Sequence, residues 1–70
     1  MWKNYRDYIA NGSERLLFQI FMRDGTIVNG NAVSESGLVI MEKEGLRFTP
    51  REYPEQVKDV YYIVEKEILR

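Results

Sequence analysis

The chain contains no cysteine and no histidine. Lacking the first, it has neither a disulfide nor a thiolate zinc site; lacking the second, it is without the usual metal ligand and the usual neutral-pH proton carrier. Most catalytic constellations are thereby excluded. The serines have no imidazole to activate them, and no glycine loop with a lysine stands ready to cradle a phosphate. Glu42 and Glu44 would share a face of an extended strand, but Lys43 between them and Gly45 after them read as a solvated hairpin. No catalytic residue, metal or cofactor is assigned, and the chain is expected not to be an enzyme. Charge of one sign is also lacking: ten Lys+Arg stand against eleven Asp+Glu, a net charge of −1. That is far from the basic balance of a domain that coats phosphates non-specifically. No apolar run approaches the roughly 18 residues of a membrane span, and MWKNYRDYIA lacks the apolar stretch of a signal peptide. A cytoplasmic protein with no membrane partner is expected.

What remains is short and rich in aromatics. Seventy residues allow one domain, and a folded chain of this size buries only about 60% of its extended surface. Trp2, Tyr5 and Ile9 fall on one face of a helix, with Asn11-Gly12 as a stop, so a helix is expected over about residues 2–10. Leu16, Phe18, Ile20 and Met22 alternate as in a strand, with Leu17, Gln19, Phe21 and Arg23 on its other face. A helix behind a Ser13 cap is the rival reading of the same stretch. Asp24-Gly25, suited to a two-residue type I′ turn, followed by Thr26-Ile27-Val28, favours a hairpin.

The second strand runs over residues 26–33, and Gly30 in its interior suggests a sharp bend. Ser34-Glu35-Ser36-Gly37 is a turn by composition, Leu38-Val39-Ile40-Met41 an apolar strand, and Lys43-Glu44-Gly45 a second hairpin turn. A fourth strand from Leu46 stops at Pro50, and a fifth runs over residues 57–64 with Val60, Tyr62 and Val64 on one face and Val57, Tyr61 and Ile63 on the other. The tail, residues 65–70, is left open between strand and helix. The fold class is thus mainly β with an N-terminal helix: a small, strongly bent, five-stranded antiparallel barrel over about residues 15–64, Sm-like or SH3-like. Apolar residues on both faces of three strands exceed what one barrel interior holds, so a homo-oligomer is expected.

This order of elements resembles the Sm-like family, which includes the bacterial Hfq-type RNA chaperones. The resemblance covers about residues 2–64 and is carried by Asp24-Gly25 with Gly30 set among apolar residues. It implies a bent barrel that assembles into a ring by pairing strand four with strand five, and single-stranded RNA binding near the pore. Ser34-Glu35-Ser36 stands where the family has an aromatic-Asp pair and a base-stacking residue. Thr49-Pro50-Arg51-Glu52-Tyr53 stands where Hfq-type proteins carry a Lys-His pair. No family binding residue is carried over.

On their own chemistry, Arg51 and Tyr53 offer a cation for phosphate and a ring for a base, and are the candidate nucleic-acid or ligand site. Tyr61 and Tyr62 are adjacent in a strand and point to opposite faces; they are the candidates for a subunit or partner contact. The leading functional expectation is a non-catalytic, oligomeric barrel binding single-stranded RNA or another nucleic acid. The alternatives are a protein-binding or inhibitory module that uses a tyrosine-rich face or strand edge, and a module that sequesters a small nucleotide.

Overall fold

A computed structural model of the chain describes residues 1–9, 13–33, 39–40 and 45–68. Its backbone follows the expected alternation most closely in β2 (Arg15–Met22), where Leu16, Phe18 and Ile20 are buried and Leu17, Gln19 and Phe21 are half-buried on the opposite side. β3 (Ile27–Val33) returns antiparallel along it. The connection is not the two-residue turn expected. Arg23, Asp24 and Gly25 form a three-residue loop in which the Gly25 N–H donates to the Met22 carbonyl (3.0 Å) and the Met22 N–H to the Thr26 carbonyl (2.8 Å). Gly25 has φ 94°, a conformation open to glycine at little cost.

The N-terminal helix is replaced by other structure. β1 (Lys3–Asn4) is a two-residue strand, and Asn4 then caps a single 3₁₀ turn over Tyr5–Asp7 by accepting the Arg6 N–H at 2.9 Å. Three residues per turn bring Tyr5 and Tyr8 to the same side. Both rings are buried there, while Ile9, which a helical face would have covered, is 84% exposed.

The last long strand, β6 (Val57–Val64), pairs antiparallel with β2 on one side and β1 on the other, so the four-stranded sheet has the order β1-β6-β2-β3. A bulge at Lys58 sets Val57 against Met22 but Asp59 against Phe21. The extra residue resets the phase. Val57 therefore joins Val60, Tyr62 and Val64 in the core, not Tyr61 and Ile63 on the other face. α1 (Glu65–Ile68) is one turn of helix after β6.

β4 (Val39–Ile40) and β5 (Arg47–Phe48) form a separate two-stranded ribbon. Among the described residues no ladder joins the ribbon to the sheet, so the sheet is open there and not the closed barrel expected. Leu46 and Phe48 are nonetheless buried in the same core as β2 and β6. The ribbon thus lies against one face of the sheet. Gly30 stands directly across from Phe18, the arrangement in which a ring covers a strand glycine, and it has no positive φ. The turns expected at residues 34–37 and 43–44, the stop at 11–12, Glu42 and the last two residues lie outside the described residues.

Candidate functional site

The core is organised around Tyr5, which is 0% exposed. Its ring lies 5.1 Å from Phe18 and 5.8 Å from Phe48, both edge-on, and 5.6 Å from Tyr8 in a stacked geometry. Tyr62 and Tyr53 complete the surround at 6.0 and 6.4 Å. Among the described residues the hydroxyls of Tyr5 and Tyr53 are buried without a hydrogen-bond partner. Burial, with the Tyr8 and Tyr53 hydroxyls nearby, pushes the Tyr5 phenol well above the ordinary tyrosine range. Burial also pushes Tyr53 up to about 12, opposed by Arg6.

Tyr53 is therefore part of the packing. Its ring stacks on Tyr5, meets Phe48 at 5.6 Å and is capped by the Arg6 guanidinium at 4.2 Å. Arg51 is exposed at a tight turn closed by a bridge between Thr49 and Glu52, and its N–H donates to the Thr49 hydroxyl at 3.3 Å. Of the two tyrosines singled out for a partner contact, Tyr62 is 8% exposed in the core, opposite Phe18. Tyr61 points the other way.

The face to which Tyr61 belongs follows from the register. Asn4, Tyr61, Gln19 and Asn29 stand in one row across the four strands, Ile63, Leu17 and Asn31 in a second, Asp59, Phe21 and Ile27 in a third. Phe21 and Tyr61 are diagonal neighbours with ring centroids 5.6 Å apart, edge to face, and with Lys58 and Asp59 they line a shallow cavity of about 270 Å³. Continuing the β1 register sets Trp2 across from Ile63. Trp2 is 41% exposed and shares a second cavity, about 350 Å³, with Leu17, Phe18, Asn29, Gly30 and Asn31. Ile63 is only 7% exposed although it lies outside the core cluster, so it is shielded from this outer side.

The outer face thus carries Trp2, Leu17, Phe21 and Tyr61 at its centre, with the amides of Gln19, Asn29 and Asn31 beside them. Asp59 is one acidic member, its carboxylate accepting from the Asn4 amide at 3.4 Å and from the Val60 N–H at 2.9 Å, and Arg15, in phase with Leu17, pairs with Glu65 at 3.4 Å. The spacing alone puts Leu17 and Phe21 on a second face of β2, where they count only toward the expected homo-oligomer, and puts Trp2 on a helix. Strand order was the missing information. Among the described residues no cluster of acidic side chains suits a metal ion, and no helix is long and apolar enough to cross a membrane.

Compared with family models, curated proteins and solved structures, the chain matches none.

Proposed function

We propose that the chain is a non-catalytic binding module that takes a protein partner on the outer face of its sheet. The observation that carries this reading is the grouping of Trp2, Phe21 and Tyr61 on the face opposite the core, half-exposed and packed at 5.6 Å in the case of the last two. A centre of aromatic rings with an amide border and little charge is the composition of the buried part of protein interfaces. The partner surface that complements it is apolar at its centre and offers backbone or amide groups to Gln19, Asn29 and Asn31.

A single-stranded nucleic acid is supported less well. Stacking rings are present, but a binder of this kind adds a cationic track for the phosphates, and here Lys58 is offset by its neighbour Asp59. Tyr53, the ring first considered for a base, already has the Arg6 guanidinium on one face.

A photo-reactive phenylalanine analogue in place of Tyr61, activated in the native host, tests the reading, with the same analogue at Arg51 as control. The expected result is a discrete protein adduct from position 61 and none from position 51. An adduct with RNA, or equal labelling from both positions, overturns it.

A further inference from the structure

We infer that the cavity beside Phe21 and Tyr61 receives an arginine side chain of the protein partner. The inference rests on the partner reading for the outer face and names the group that this part of the face takes.

Four side chains line the cavity of about 270 Å³: Phe21, Tyr61, Asp59 and Lys58. All but Lys58 are half-buried. The two rings meet at 85° and so form a corner. A ring face is negative and attracts a cation. A guanidinium laid flat on one ring of such a corner turns its N–H edge toward the other, which a compact ammonium has no plane to do. The Asp59 carboxylate supplies the opposite charge and is held in place. The Asn4 amide and the Val60 N–H both donate to its Oδ1, and among the described residues Oδ2 accepts no hydrogen bond.

Lys58 is the competing charge. It is exposed, and among the described residues it neither pairs with an acid nor lies over a ring. A long ammonium side chain without a partner keeps its charged end in water, whereas the carboxylate and the two rings are fixed by the β2–β6 ladder. The fixed part of the cavity therefore favours a cation over an anion. The chain's own example of a guanidinium over a ring, Arg6, is committed to Tyr53, which leaves the corner at Tyr61 to a cation from outside.

Titration of the isotope-labelled chain with an end-blocked Gly-Arg-Gly peptide, followed by NMR at the rings of Phe21 and Tyr61, tests this. Both ring signals are expected to shift saturably, and the citrulline counterpart, similar in shape but uncharged, to bind at least about fivefold more weakly. Asp59→Asn keeps an oxygen for the two bonds to Oδ1 and removes the charge. It is expected to weaken binding of the arginine peptide at least about fivefold, with the circular dichroism spectrum retained. Lys58→Gln removes a repulsion and is expected to strengthen binding about twofold. No saturable shift, equal binding of a Gly-Lys-Gly peptide, or weaker binding to Lys58→Gln overturns the inference, the last by marking an anion site. The Lys58 variant decides even if Asp59→Asn does not fold. If the peptide fails to bind while position 61 still yields a discrete protein adduct, the arginine inference falls and the partner reading stands. If the peptide binds while position 61 yields no protein adduct, the partner reading falls and the partner's arginine with it, leaving a guanidinium site alone.

Discussion

The Arg6 guanidinium carbon stands 4.2 Å from the centroid of the Tyr53 ring. Arg6 belongs to the 3₁₀ turn near the N-terminus and Tyr53 to the segment before β6, so this contact ties those two segments together over the aromatic core. Cation–π contacts at partly exposed sites contribute about 0.5–1 kcal/mol. Arg6→Ala is expected to lower stability by about that amount in urea unfolding, whereas Arg51→Ala, at an exposed turn, should stay within about 0.5 kcal/mol of wild type.

Among the described residues the hydroxyl of the buried Tyr5 has no hydrogen-bond partner. A buried polar group without a partner costs about 1–3 kcal/mol, so Tyr5→Phe is expected to be neutral or to stabilise the fold, raising Tm by up to about 4–8 °C per kcal/mol gained. Tyr5→Ala removes the ring that five others touch and is expected to cost about 3–5 kcal/mol, as large core truncations do. Thermal unfolding of the two variants side by side checks both signs.

The same burial sets an alkaline limit. A phenol whose folded pKa lies above its unfolded value near 10 binds its proton more tightly in the folded state. Its stabilising contribution is complete below pH 10 and is lost as pH rises from there through the folded value, about 12 for Tyr53. The urea midpoint is therefore expected to fall between about pH 10 and about pH 12, and to fall less steeply in Tyr5→Phe. An equally steep fall in that variant would assign the effect to other groups.

Gly25 has φ 94° and no atom within 4 Å of where a Cβ would stand. Any cost of Gly25→Ala is then backbone strain alone, about 1–2 kcal/mol, and Gly25→Asn should cost less. Asp24 accepts the Thr26 N–H at 2.8 Å, and hydrogen bonds from the Thr26 side chain and backbone hold its carboxyl below the usual range. Asp24→Ala is expected to destabilise the hairpin by loss of this bond. Denaturant unfolding of these hairpin variants checks the loop geometry.

Much of the sheet was legible because period-2 alternation is a local property. Leu16, Phe18, Ile20 and Met22 face the core, and Asp24-Gly25 turns the chain between two strands. Where reading failed, the deciding interaction was not local. Trp2, Tyr5 and Ile9 have helical spacing, but Asn4 caps a 3₁₀ turn that sends Tyr5 and Tyr8 inward together. Val57 changes face because a bulge at Lys58 is set by pairing with β2, which the spacing within residues 57–64 does not encode. The outer face was the least legible part: Trp2, Phe21 and Tyr61 are far apart in the chain and meet only because β6 inserts between β1 and β2. Tyr53, a loop ring that with Arg51 could take a base, is held by Tyr5, Phe48 and Arg6.

Hydroxyl-radical footprinting, comparing purified chain with chain in the native host's extract, tests the central claim most directly. Phe21 and Tyr61 should oxidise readily in the purified chain and become protected in extract, while Tyr5 stays unreactive in both. Equal oxidation of Phe21 and Tyr61 under the two conditions would contradict a contact role for the outer face.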